Sequence, residues 1–122
     1  MRILIVDDEH AVADTLVMIL KSKGHEATAA YTGAAALEKI ESFRPDCAIS
    51  DVIMPDLSGT EICASIEQKL PHCRILLLSG RGSTSELIEA AKTRGRSWEL
   101  LAKPIDPREL LDKLASLQTA KA

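Results

Sequence analysis

Residues 2–9 read Arg-Ile-Leu-Ile-Val-Asp-Asp-Glu, a short apolar run that stops abruptly at three acids. The run is too short to be a confident helix, and it lacks the polar alternation of a strand with one wet face. It therefore predicts a strand buried on both faces, which is typical of parallel sheets covered by helices on both sides. The acids mark the point at which the chain leaves the sheet.

Further short apolar runs alternate with stretches in which apolar residues recur at helical spacing, as at Val12, Leu16 and Leu20. We expect five helices, two of them over 33–42 and 84–94, and a start at Asp106-Pro107 for the last one. Five β-α units with right-handed crossovers give an α/β fold, a doubly wound, open parallel sheet whose functional crevice lies at the carboxyl ends of the strands. The predicted strands span 2–6, 25–30, 47–50, 74–78 and 98–101.

The chain has the size of one domain, and we expect a single domain over residues 1–122. Its core must be aliphatic because aromatic residues make up only 2% of the chain, and its net charge of -3 argues against direct binding of nucleic acid. No apolar run approaches the roughly 18 residues of a membrane helix, so we expect no membrane insertion and a cytoplasmic location.

Cysteines, histidines and methionines often signal metal or redox chemistry, but in this chain they do not have the spacing of a metal site or a redox motif. The three cysteines are odd in number and form no Cys-x-x-Cys motif, which favours small core or boundary residues in a reducing compartment. The histidines are scattered and are expected at the surface or at its boundary, and the methionines of the first helix and of the loop after residue 51 are expected to be packing groups rather than ligands. These residues are Cys47, Cys63, Cys73, His10, His25, His72, Met18 and Met54.

Five polar side chains stand at the predicted carboxyl ends of the strands and should converge on one edge of the sheet. Three carboxylates in one crevice repel each other unless a cation compensates them. Oxygen ligands with no nearby histidine or cysteine favour Mg²⁺, which also readily shares a phosphate oxygen. The five residues are Asp7 and Asp8 after the first strand, Asp51 after the third, Ser79 after the fourth and Lys103 after the fifth.

Asp51 is the candidate nucleophile of this group. A carboxylate can attack phosphorus to give an aspartyl phosphate, and such a transfer needs mainly positioning and charge neutralisation. Asp51 ends a buried strand and opens a loop that Pro55 and Gly59 stiffen and turn. The backbone carbonyl of Ile53 is expected to add a metal ligand, and Lys103 supplies a point charge for the anion.

Four motifs in this order resemble response-regulator receiver domains: Val-Asp-Asp-Glu at 6–9, Asp-Val-Ile-Met-Pro-Asp-Leu-Ser-Gly at 51–59, Leu-Leu-Leu-Ser-Gly at 76–80 and Leu-Ala-Lys-Pro-Ile-Asp at 101–106. The resemblance covers essentially the whole chain. It implies a flavodoxin-like (βα)5 fold with strand order 2-1-3-4-5, and a cis bond between Lys103 and Pro104.

The resemblance also implies a role for each residue of the group. Asp51 would be the phosphoacceptor, Asp7 and Asp8 the acidic pair that binds Mg²⁺, Ser79 the switch hydroxyl and Lys103 the partner of the phosphoryl group. A histidine kinase or histidine phosphotransfer protein would donate that group. The surface of the fourth helix, fifth strand and fifth helix would then change and be recognised by a downstream protein.

One position departs from the family pattern. The family usually has Tyr or Phe three residues before the lysine, as an aromatic switch, and this chain has Leu100 there. Trp98 lies two residues earlier on the same side of a strand, where it could substitute, although packing at a strand edge is the favoured interpretation. This departure is expected to affect how the signal passes from the phosphorylated domain to its partners, and not phosphorylation itself.

Other classes of protein share parts of this pattern. A haloacid-dehalogenase-like phosphotransferase would need an Asp-x-Asp motif after the first strand and room for a substrate cap. A flavodoxin-like cofactor binder would need a first loop that accepts a phosphate, which Asp7, Asp8 and Glu9 repel. A phosphorylation-independent interaction module is the third alternative. The sequence also leaves open whether the chain is a stand-alone receiver or a piece of a longer regulator or hybrid kinase.

Overall fold

Every short apolar run forms a strand in the computed structural model, which describes residues 1–51, 54–57, 59–79 and 99–120. All strands pair in parallel, in the order β2-β1-β3-β4-β5. The predicted α/β class and strand order are therefore confirmed. The strands are β1 (Arg2–Val6), β2 (Glu26–Ala30), β3 (Cys47–Asp51), β4 (Arg74–Ser79) and β5 (Glu99–Ala102).

Several strand ends differ by one residue from the prediction. Asp51 is the last residue of β3 and pairs with Leu78, and Ser79 ends β4 opposite Ala102. The ladder depends on backbone groups, which a polar residue supplies as well as an apolar one, so the apolar pattern underestimates these strands. His25 lies outside β2 because its N–H donates to Leu20 O at the end of the preceding helix, 3.1 Å away.

Helices cover both faces of the sheet. They are α1 (His10–Ser22), α2 (Gly33–Ser42), α3 (Gly59–Lys69) and a C-terminal helix (Pro107–Ala120). The helix expected over 84–94 falls outside the described residues. Within the described ranges, no helix is both long and apolar enough to cross a membrane.

The core has two halves, one on each face of the sheet, because alternate strand residues point in opposite directions. Leu4, Val6 and Leu77 pack with α2 and α3, whereas Ile3 and Ile5 pack with α1 and the C-terminal helix. All five of these side chains are completely buried. Burial on both faces explains why the strands show no polar alternation.

The cysteines and histidines lie where the sequence predicts, and one methionine does not. Cys47 and Cys63 are buried free thiols, and burial raises the pKa of Cys63 to about 12. Met54 packs in the core at 5% exposure, but Met18 is 71% exposed, so its predicted packing role is wrong. The buried stripe of α1 runs through Ala13, Leu16 and Leu20, and position 18 lies on the opposite face of the helix. His10 and His72 are exposed, His25 and Cys73 half-buried.

Capping residues set the ends of two helices. At the end of α1, the Gly24 N–H donates to Lys21 O at 3.0 Å and the His25 N–H donates to Leu20 O, which together form a Schellman motif. Gly24 has φ +90, a backbone conformation that L-residues with a side chain rarely adopt. The C-terminal helix begins as predicted, with the Arg108 N–H donating to Asp106 Oδ1 at 2.9 Å.

Gly24→Ala should destabilise the fold by about 1 kcal/mol, because the left-handed backbone at this position carries a penalty for any Cβ. The space around Gly24 is open, so the loss would come from the backbone alone. Urea unfolding measures it, with Lys23→Ala as the matched control one residue earlier. Equal stability of the two variants would contradict the role assigned to Gly24.

Candidate functional site

Two carboxylates meet at the carboxyl edge of the sheet because β1 and β3 are neighbours. Val6 pairs with Ser50, so the next residues, Asp7 and Asp51, stand side by side. Asp7 is fully buried and Asp51 is 7% exposed, whereas Asp8 is exposed. The two buried acids are among the few buried polar side chains of the described chain.

Asp7, Asp8 and Asp51 can each offer one carboxylate oxygen, and these oxygens lie within 4.8 Å of one another. The sequence predicted this cluster, and the structure brings its three acids together. Three negative charges this close repel one another strongly unless a cation balances them. An all-oxygen set of this kind suits Mg²⁺, which takes one or two carboxylates and keeps several waters.

Lys103 supplies a positive charge to the same cluster. Its Nζ lies 2.8 Å from Asp7 Oδ2, 2.8 Å from Asp51 Oδ2 and 3.1 Å from Glu9 Oε1. The Lys103 side chain is 14% exposed. Burial by itself would lower the pKa of this ammonium group, but its hydrogen bonds to Asp51 and Glu9 and its ion pair with Asp7 outweigh burial and raise the pKa above its ordinary value.

The backbone brings Lys103 to the acids directly after β5. The bond between Lys103 and Pro104 is cis, as the resemblance implied. Ala102, the last residue of β5, pairs with Ser79 of β4, and β4 lies next to β3. Lys103 thus reaches across the end of β4 to the acids of β1 and β3.

One buried oxygen of Asp7 indicates how a metal would fit. Asp7 Oδ1 accepts a hydrogen bond from the Glu9 N–H at 3.0 Å. Asp7 Oδ2 contacts Lys103 as an ion pair but has no hydrogen bond of good geometry among the described residues. A buried carboxylate oxygen that forms an ion pair but no hydrogen bond is well placed to coordinate a divalent cation. The residues present therefore fit a magnesium site.

Two residues of the site were missed by the sequence reading. Glu9 is not among the predicted site residues, yet it contacts Lys103; the run of three acids at 7–9 is the available signal. Asp56 receives no role in the sequence analysis, yet its carboxylate accepts hydrogen bonds from Gly33 N and Ala34 N at 2.8 and 3.1 Å. These bonds lower the pKa of Asp56. No local pattern predicts that contact, because 22 or more residues separate the partners.

Other predicted site features lie wholly or partly outside the described residues. Ile53 and Trp98 are not among them. The structure describes the backbone of Ser79 and Leu100, at the end of β4 and within β5, but not their side chains. The expected metal contact of Ile53, the switch hydroxyl of Ser79 and the substitution of Trp98 for an aromatic switch remain predictions.

Lys103→Met should destabilise the protein by about 3 kcal/mol in the absence of divalent metal, because it leaves the clustered carboxylates without their cation. Folding raises the pKa of Lys103, so its contribution to the free energy of unfolding is fully present below the unfolded pKa of about 10.4. The loss in the variant should therefore be the same at about pH 7 and about pH 9. Urea unfolding in EDTA measures the loss, and Mg²⁺ should reduce it.

The matched control is Lys69→Met, which removes an exposed ion pair with Glu41. That change should cost less than about 1 kcal/mol, and Mg²⁺ should not alter it. If Lys103→Met proved as harmless as Lys69→Met, the charge balance described for the site would be wrong.

Comparison with known proteins agrees with this geometry. Residues 3–115 match the family model of the response regulator receiver domain. The response regulator MprA of Mycobacterium avium (strain 104) is 37% identical over 117 residues, covering 96% of this chain and 50% of that protein. The chain thus spans about half the length of the curated relatives it matches.

Solved structures give the same result. A response regulator receiver domain protein (CheY-like) from Methanospirillum hungatei JF-1 superposes with a TM-score of 0.90 at 31% identity, covering 98% of this chain and 94% of that one. Vibrio cholerae chemotaxis protein CheY4 superposes with a TM-score of 0.84 at 30% identity, covering 95% and 97%. With the family match over most of its length, the two buried carboxylates and the lysine between them, this chain belongs to the response-regulator receiver domains.

Proposed function

We propose that Asp51 accepts a phosphoryl group in a magnesium-dependent reaction, and that this modification switches a surface that other proteins recognise. The observation that carries the proposal is the contact of Lys103 Nζ with both Asp51 Oδ2 and Asp7 Oδ2, each at 2.8 Å. One cation already bridges the two buried acids at the sheet edge, where an incoming phosphoryl group would add more negative charge.

In the proposed reaction, a carboxylate oxygen of Asp51 forms a bond to phosphorus while the bond from phosphorus to the donor's leaving group breaks. The leaving group is an imidazole when the donor is a phosphohistidine and acetate when it is acetyl phosphate. Lys103 restrains the Asp51 carboxylate before transfer and neutralises phosphoryl charge after it. Bound Mg²⁺ would neutralise charge on the transferring group.

The remaining roles follow the family resemblance. Asp7, Asp8 and Asp51 are the proposed carboxylate ligands of Mg²⁺, and the Ile53 carbonyl is a proposed fourth protein ligand. We assign Ser79 as the hydroxyl that donates a hydrogen bond to the phosphoryl group. Burial of Asp7 supports its assignment, because a buried carboxylate is costly to maintain without a cation.

The proposed phosphoryl donor is a histidine kinase or a histidine phosphotransfer protein, as is usual for response regulators. The signal would pass to a downstream protein through the surface of the helix expected over 84–94, β5 and the C-terminal helix. This route involves no direct contact with nucleic acid. We further propose that the chain acts as one receiver domain over residues 1–122, in the cytoplasm, and catalyses only its own phosphoryl transfer and hydrolysis. Free thiols at Cys47, Cys63 and Cys73 suit that reducing compartment.

The alternatives are less well supported. The family match and the structural neighbours do not favour a haloacid-dehalogenase-like phosphotransferase. A phosphorylation-independent interaction module would keep the fold but would not need three acids with oxygens within 4.8 Å of one another and a lysine 2.8 Å from two of them. It is the account that a negative result in the following experiment would favour.

Incubation with acetyl phosphate and Mg²⁺ should add one phosphoryl group to the wild-type protein, detected by intact mass spectrometry. Asp51→Asn should abolish the gain because the amide is not a nucleophile towards phosphorus, and so should removal of Mg²⁺ by EDTA. Fluorescence of Trp98, the only tryptophan, can be followed in the same samples.

Asp46→Asn is the matched control, because Asp46 flanks the same strand at its other end. Asp46 Oδ2 accepts a hydrogen bond from Arg2 N at 2.8 Å, and asparagine retains an acceptor oxygen there. This variant should gain the phosphoryl group like wild type. Absence of any mass gain in wild type, or an equal gain in Asp51→Asn, would overturn the proposed function.

A further inference from the structure

The segment that follows Asp51 is attached to the beginning of α2 by one side chain. We call residues 54–57 the acceptor segment. Within it, Asp56 Oδ1 accepts a hydrogen bond from Gly33 N at 2.8 Å, and Asp56 Oδ2 accepts one from Ala34 N at 3.1 Å. Each carboxylate oxygen thus binds one of the first two backbone N–H groups of α2.

These bonds come in addition to a local cap of the helix. Thr32 already occupies the N-cap position, and its hydroxyl accepts a hydrogen bond from Ala35 N at 3.0 Å. Most helices satisfy their first N–H groups with such local side chains and with water. The use of a residue more than 20 positions away couples the helix to the acceptor segment.

Two apolar contacts attach the same segment to the core. Met54 is 5% exposed, and Leu57 packs against the α2–α3 half of the core. Leu57 also lies where a side chain at position 33 would stand: a Cβ on Gly33 would be 2.7 Å from Leu57 Cβ. Glycine at position 33 therefore permits the close approach that brings Asp56 to the helix.

We propose that Asp56 is a positioning residue for phosphoryl transfer: by anchoring the acceptor segment to the N-terminus of α2, it favours Mg²⁺ binding at the acids of the sheet edge. The inference rests on the proposed function of Asp51. Met54 is only three residues beyond Asp51, and Ile53, whose carbonyl is the proposed metal ligand, directly precedes Met54. An anchored acceptor segment lowers the ordering cost that Mg²⁺ binding at this edge has to meet.

The test compares two caps of the same helix. Asp56→Ala removes the bonds to Gly33 and Ala34, whereas Thr32→Ala removes the bond to Ala35 and leaves the acceptor segment attached. Both variants should unfold at lower urea concentration than wild type. Only Asp56→Ala should weaken Mg²⁺ binding, by about tenfold as measured by calorimetry, because supporting contacts of metal ligands typically have effects of that size.

Asp56→Asn separates anchoring from charge. Asparagine loses the negative charge as alanine does, but its carbonyl oxygen can still accept the Gly33 N–H. Mg²⁺ affinity should therefore recover partly in Asp56→Asn. Equal affinities of the Asn and Ala variants would mean that charge alone acts, and would overturn the proposal.

Hydrogen exchange gives a readout that does not depend on metal. Backbone amides of the acceptor segment should exchange faster in Asp56→Ala than in Thr32→Ala, while those of the first turn of α2 should exchange faster than wild type in both. If Asp56→Ala and Thr32→Ala bind Mg²⁺ equally well, Asp56 is only a cap and the inference fails. If the wild-type protein neither binds Mg²⁺ nor accepts a phosphoryl group from acetyl phosphate, the proposed function is refuted instead.

Discussion

The contact of Lys103 with Asp7 and Asp51 is the interaction on which the site depends. Two acids buried at neighbouring strand ends would repel each other and carry a large desolvation cost if left alone. The lysine balances them at 2.8 Å from each, and Glu9 adds a third carboxylate from the solvent side. The site thus carries excess negative charge, which a divalent cation can balance further. The same geometry therefore suits both a stable resting state and the proposed phosphoryl transfer.

The sheet makes this arrangement possible because its five strands are parallel and covered on both sides. In a parallel sheet all carboxyl ends meet at one edge, so residues far apart in sequence become neighbours without any special loop. Strand β1 lies between β2 and β3, and this crossover puts Asp7 beside Asp51. Completely buried aliphatic side chains on either face make the edge a rigid support for the charges.

The acceptor segment connects this charged edge to the surrounding helices. Asp56 and Leu57 attach it to α2, and Met54 attaches it to the core. Hydrogen bonds from the Gly33 and Ala34 N–H groups lower the pKa of the Asp56 carboxyl below its ordinary value. The anchoring role proposed for Asp56 would couple the proposed metal site to the start of α2.

Local patterns predict the fold class and the meeting of Asp7, Asp8, Asp51 and Lys103 at one edge, because apolar runs mark strands and polar residues mark their ends. The strand order is implied by the family resemblance and not by these patterns. Three features become visible only in the folded chain: Glu9 contacts Lys103, Asp56 binds the start of α2, and Met18 faces solvent. Contacts between distant residues depend on how helices and loops pack, and no periodicity along the chain records that packing.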